Sequence, residues 1–262
     1  MSQYILIKNV NDKRVKEIMK KIITTLAFIA LTTISAKALE LPSLGIFSLT
    51  GGVAANQSVF GATAQQDEYN MLGTSIDATN KESGAFADSY QSQFVELGIG
   101  KWVSVGYEMV DGAISTPQNI NDHGSPGTAS TPATSTVSVD FNDLETTYLK
   151  INLPILTGFY VTAGKLSTDV DIKETQRSGN KYANVNVDGT STGAGYERFL
   201  GDSGFSIRAE AQYIELDNIT VNNGVTKTAG TTANGGFNEI KATNLEGLSG
   251  KVAISYTLGR NN

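Results

Sequence analysis

Cysteine is absent from the 262 residues, which removes disulfides, thiol nucleophiles and thiolate metal sites. Proline is held to five, and tryptophan and histidine to one each. Long apolar runs are missing too. The most continuous one, 22–34, is interrupted by Thr24, Thr25, Thr32 and Thr33 and falls short of the roughly 20 residues a helix needs to span a bilayer. Basic residues thin out beyond it. Of the 20 basic and 26 acidic residues, seven and two respectively fall within 1–38, which leaves 13 and 24 and a net charge of −11 for the remainder. So acidic a chain is a poor partner for nucleic acid or for a polybasic membrane-surface contact.

The short apolar run has its own logic. Lys20 and Lys21 precede it and Ala36-Lys37-Ala38 closes it, the charged start, apolar middle and small-x-small end of a secretory signal peptide. An amphipathic core helix from Met19 is the alternative. It is disfavoured because the threonines do not share a helical face and no capping residue precedes Met19. The expected organisation is therefore an upstream start extension at 1–18, a signal peptide at 19–38 cleaved near Ala38, and a single domain at 39–262.

After residue 42 helical periodicity gives way to segments of about ten residues that alternate apolar and polar, the period-two signature of strands with two different faces. In "SGFSIRAEAQY", Phe205, Ile207, Ala209, Ala211 and Tyr213 oppose Ser206, Arg208, Glu210 and Gln212. In "WVSVGYEM", Val103, Val105, Tyr107 and Met109 oppose Ser104, Gly106 and Glu108; in "LSGKVAISYTL", Leu248, Val252, Ile254, Tyr256 and Leu258 oppose Ser249, Lys251, Ser255 and Thr257. The contrast recurs around 44–55, 91–100, 137–153 and 158–170, while the faces of 188–200 are ambiguous. Glu96, Glu108, Lys150, Glu197, Arg208, Glu210 and Lys251 put charges of both signs in mid-strand.

Alternation alone also fits a water-soluble sandwich. The connections discriminate better. They run long, short, long, short through the chain: long at about 56–90, 112–136, 171–187 and 218–243, short at 100–102, 154–158 and 201–204. That regularity predicts an all-β, closed, antiparallel up-and-down transmembrane barrel, with short turns at the periplasmic end and long loops outside the cell. Eight strands are expected, or ten if 56–90 conceals a further hairpin. Trp102, Phe159, Tyr160, Phe199, Phe205 and Tyr256 flank the short turns or the chain end, and Tyr213 lies about 20 Å further along its strand. These seven are the expected interfacial aromatic girdle.

On the signal-peptide pattern, the strand pattern and the ending "GKVAISYTLG", the chain resembles the small Gram-negative outer-membrane β-barrel proteins, the group of the OmpA membrane domain, OmpX and OmpW. The resemblance covers about 44–259. It implies a place in the bacterial outer membrane, with outer-membrane lipid, lipopolysaccharide and the assembly machinery as partners. The family usually ends in phenylalanine where this chain has Leu258-Gly259-Arg260-Asn261-Asn262.

A narrow eight-strand lumen is filled by its own side chains. Arg208 and Lys150 should therefore be paired with some of Glu96, Glu108, Glu197 and Glu210, as a structural plug or as a gate. No catalytic, cofactor or metal site is expected. His123 sits beside Asp122 and Ser125 in "NDHGSPG", where neighbours in a Gly/Pro-rich loop seldom converge as a triad. Asp169 and Asp171 lack a calcium-loop spacing, and the glycine-rich 189–195 lacks the ending of a phosphate loop. Function is then expected from the envelope role of the barrel or from loops that meet a surface ligand or phage. A narrow diffusion channel is the alternative.

Overall fold

A computed structural model of the chain describes residues 46–69, 75–122, 134–175, 181–224 and 237–259. The signal-peptide pattern, His123 and Ser125 lie outside the described residues.

Among the described residues there are eleven strands: β1 (Phe47–Tyr69), β2 (Ile76–Ile99), β3 (Val103–Asp111), β4 (Ile114–Ser115), β5 (Asn119–Asp122), β6 (Thr134–Asn152), β7 (Phe159–Thr175), β8 (Val185–Phe199), β9 (Phe205–Leu216), β10 (Ile219–Asn222) and β11 (Asn238–Leu258). Eight of them make an antiparallel ring in the order β1-β2-β3-β6-β7-β8-β9-β11, closed by pairing of β11 with β1. The short β4 and β5 pair with β6 beyond the end of β3, and β10 pairs with β11 beyond the end of β9.

Register fixes the tilt. Following paired residues once around the ring leads from Gly51 through Val95, Tyr107, Thr147, Lys165, Thr190, Glu215 and Glu246 to Gly61. The path re-enters β1 ten residues beyond its start, a stagger that inclines the strands of an eight-strand barrel by about 40°. At the short-turn end the chain reverses between β2 and β3, β6 and β7, and β8 and β9. Gly100 (φ 63°) and Gly201 (φ 63°) occupy the left-handed conformation that two of these turns require.

The surface is inverted relative to a water-soluble protein. Val53, Leu97, Val105, Leu149, Val161, Ile207, Val252 and Ile254 point outward and are exposed, while Glu96, Lys150, Arg208 and Lys251 point inward and are buried. On β1, β9 and β11 the outward positions stay apolar over Phe47–Ala55, Phe205–Tyr213 and Leu248–Leu258, roughly 20 Å at this tilt, while the runs on β6 and β7 are shorter. Lys165, Glu145 and Asp111 then begin a charged border. With every backbone group of the belt in a closed ladder, no edge meets hydrocarbon. The geometry is that of a membrane-spanning barrel.

Above the border the ring changes character. Register slips between Asn142 and Glu145 and between Gly61 and Thr63, where Asp143 (φ 50°) and Asn244 (φ 54°) adopt left-handed backbone that Asp and Asn tolerate better than most residues. Such bulges bend a strand and increase its local twist. Val110, Ile114, Leu144, Leu166 and Ile214 pack directly above the ionic part of the lumen. Further out, Val170, Tyr182, Val187, Ile219, Val221 and Leu245 form a second apolar core. On the outermost part of β1, Asp67 accepts hydrogen bonds from Gln65 Nε2 (3.0 Å) and Thr79 Oγ1 (2.9 Å). Those bonds, helped by Lys241, hold its carboxyl below the usual carboxylate range.

The long connections are shorter than expected. The region 56–90 holds no extra hairpin; the same residues lengthen β1 and β2, and the ring keeps eight strands. Likewise 112–136 contributes β4 and β5, and β10 arises within 218–243. Both faces of the outer half of β2 meet water (Ile76–Ala85 are all exposed), so its sequence carries no apolar contrast to betray a strand. In 188–200 the odd-numbered residues point inward, several of them glycines, which hid the face assignment.

Truncating Leu166, buried at 3% exposure, to alanine should cost about 2–5 kcal/mol and lower the urea midpoint of refolded protein. Because the Asp67 pKa is depressed, its stabilising contribution is present at neutral pH and is lost as pH falls through the lowered value. Hydrogen exchange of the β1–β2 tip should accelerate over that window in the wild type and show no such step in Asp67→Asn.

Candidate functional site

The site is the lumen at the level of the apolar belt. Each strand contributes inward side chains at every second residue, and the 40° tilt brings residues distant in sequence to one height. All seven mid-strand charges named from the sequence lie there, at 9% exposure or less.

They form two groups. In the first, Glu96 is held by Arg208 in a two-pronged contact (Nη1 to Oε1 2.6 Å, Nη2 to Oε2 2.7 Å), by Lys150 Nζ at 3.0 Å and by the Tyr148 hydroxyl at 2.8 Å. Glu197 accepts from the remaining guanidinium nitrogen, Arg208 Nε (3.0 Å), from Lys150 (2.9 Å) and from Ser206 (2.7 Å). The Arg208 guanidinium also stacks 4.8 Å above the Phe94 ring. Two acids face two bases, so this group is neutral.

The second group lies one layer further from the short turns. Lys251 bridges Glu108 (2.8 Å) and Glu210 (3.4 Å). Ser92 donates to Glu108 at 2.6 Å, and Tyr160 donates to Glu210 at 2.8 Å. Tyr160 also joins the groups, because Lys150 Nζ sits 5.0 Å over its ring. Here two acids face one base, and the net charge is −1.

Two glycines make room for the tyrosines. A Cβ on Gly106 would lie 2.3 Å from the Tyr148 ring, and one on Gly195 would lie 2.4 Å from the Tyr160 ring. Between the second group and the apolar layer is a cavity of about 20 Å³, bordered by Glu108, Asn56, Gln212, Ser191 and Thr146 below and by Val110, Leu144, Leu166 and Ile214 above. Among the described residues no group of three or more His, Asp or Glu is arranged to hold a metal ion.

The aromatic assignment divides. Trp102, Phe159, Phe205, Tyr213 and Tyr256 are on the outer face, with Phe205 and Tyr256 rings 4.8 Å apart. Tyr160 does not belong to the girdle: it is 1% exposed and points into the lumen. Phe199 also falls on the inward register, paired with the buried Ser206. Both stand one residue out of phase with the outward face, which proximity to a turn does not reveal. Tyr196 takes the outer place instead, edge-on to Phe159 at 5.0 Å. Sequence reasoning also missed Tyr148, Ser206, Ser92 and Phe94 as lumen partners, although their parity with Lys150, Arg208 and Glu96 was legible.

No protein-family model matches the chain, and no curated protein matches it. Solved structures do resemble it. The outer membrane protein OprG of Pseudomonas aeruginosa aligns over 80% of this chain and 97% of its own at 8% identity and a TM-score of 0.48. The outer membrane protein AlkL aligns over 87% and 98% at 12% identity and a TM-score of 0.46. Ail, the attachment invasion locus protein of Yersinia pestis, aligns over 79% and 99% at 10% identity and a TM-score of 0.32.

Arg208→Ala leaves Lys150 as the one cation bonded to Glu96 and Glu197, and should destabilise the barrel by about 3–5 kcal/mol, measured as a drop in the urea midpoint. Gly106→Ala should cost about 1–3 kcal/mol by overpacking against Tyr148, and a compensating Tyr148→Phe should recover little, since the clash is with the ring itself.

Proposed function

We propose that the chain is a non-enzymatic protein of the bacterial outer membrane whose barrel is closed by its own side chains, and that it serves envelope integrity while holding an ordered β-structure outside the lipid. The carrying observation is the filling of the lumen in series: two ionic layers within the belt, then two apolar cores above it. An ion crossing would have to break buried pairs and then traverse packed hydrocarbon, each step costing several kcal/mol. The inverted surface and the signal-peptide pattern at 19–38 support the location. The short turns would then face the periplasm. Outer-membrane lipid and lipopolysaccharide would contact the belt and its charged border, and the strand ending at Leu258 would engage the assembly machinery. A surface ligand or phage would meet the outer strand extensions.

The decisive experiment is single-channel recording of refolded 39–262 in planar bilayers, with heat-modifiable gel migration to show that the barrel has formed. A folded barrel that stays silent is expected. Stable, reproducible conductance steps would overturn the closed reading in favour of a narrow diffusion channel. N-terminal sequencing of the exported protein should begin at Leu39.

A further inference from the structure

The two ionic groups of the lumen differ in charge balance. Glu96 and Glu197 are neutralised by Arg208 and Lys150, whose donors are committed to them. Glu108 and Glu210 share Lys251 alone. One negative charge is therefore left over, inside a belt surrounded by hydrocarbon, where an unbalanced charge is far more costly than at a surface. Hydroxyl donors from Ser92, Tyr160 and Thr162 soften this, but neutral donors do not cancel a charge.

The cavity lies against this unbalanced group and not against the balanced one. Its volume of about 20 Å³ admits one water-sized particle. Glu108 forms part of its wall, together with the oxygen-bearing side chains of Asn56, Tyr90, Thr146, Ser191 and Gln212. The Asn56 amide nitrogen donates to Ser92 Oγ at 2.9 Å, and Ser92 in turn donates to Glu108. Among these lining side chains Ser191 is buried, at 5% exposure. One carboxylate, several neutral oxygens and space for a single small particle suit a hard monovalent cation of the sodium or potassium class. A divalent ion would overcompensate a single charge.

We infer that the cavity above Glu108 is a structural monovalent-cation site that neutralises the second ionic group and locks the plug. The ion lies between the ionic layers below and Val110, Leu144, Leu166 and Ile214 above. The inference rests on the closed-lumen reading, but the two fail separately: conductance tests closure, whereas cation-dependent unfolding tests the site.

The test is urea unfolding of protein refolded in nonionic detergent, followed by Trp102 fluorescence, in sodium, potassium or choline chloride at one fixed ionic strength. Binding to the folded state alone raises stability with ion concentration. The expected result is an unfolding half-life several-fold longer in sodium or potassium than in choline. Glu108→Gln, which removes the surplus charge, should abolish the difference. Thr146→Val combined with Ser191→Ala removes oxygens without changing charge, keeps the test alive if Glu108→Gln does not fold, and should weaken the ion response about tenfold. Identical unfolding in all three salts would overturn the inference. So would an ion response that survives both variants, since it would then be a general salt effect. Insensitivity to the cation together with a strong dependence on pH would overturn it as well, by assigning the balancing charge to a proton on the carboxylate pair.

Discussion

The pairing of the first ring strand with the last, from Leu49 opposite Leu258 to Glu68 opposite Asn238, turns an open meander into a closed surface with an inside. Hydrocarbon offers backbone groups nothing to bond with, so a sheet can cross it only without edges. Closure satisfies that condition and at once separates the two faces of every strand. One face meets lipid, and the other meets only the side chains of the remaining seven strands. The apolar belt, the buried charges and the absence of any long apolar run all follow from this separation.

Closure also sets a packing problem that the lumen solves in layers. Near the short turns, where the surroundings are hydrocarbon on all sides, the interior is filled by charges that must neutralise one another. Arg208 is suited to this because its planar fork engages Glu96 with two nitrogens and Glu197 with the third. Tyrosines at 148 and 160 fill the space between the charged tips, opposite Gly106 and Gly195, which lack the side chains that would collide with them. Beyond the belt the exterior faces water, the polarity of the two faces reverses, and the interior becomes an ordinary apolar core. Left-handed backbone at Asp143 and Asn244 marks the bulges at this transition.

The layered filling bears directly on function. A conducting lumen needs polar groups with solvent between them, whereas here the polar groups are bonded to each other and capped by Leu144, Leu166 and Ile214. Under the proposed closed lumen, interaction falls to the exterior: the lipid-facing belt and the outer strands, chiefly the exposed half of β2.

The amino-acid sequence determined the class of fold and the charged members of the lumen network by itself, because parity is local. Once Phe205, Ile207 and Tyr213 are assigned to one face, Arg208 and Glu210 must lie on the other, whatever the rest of the chain does. The alternation of short and long connections pointed to eight strands but left ten open, and the continuous pairing of β1 with β2 along 56–90 decided for eight. Which charges pair was decided only by the tertiary structure. Glu96 and Arg208 are neighbours because a ten-residue stagger around the ring brings them to one height, and that stagger is a property of all eight strands together. The same holds for Tyr160, whose inward direction depends on a phase one residue away from Phe159, and for the outer half of β2, where water on both faces erases the contrast that reveals a strand. The surplus charge at Glu108 and Glu210 is likewise invisible in composition, because it appears only when folding divides seven charges into a balanced group and an unbalanced one.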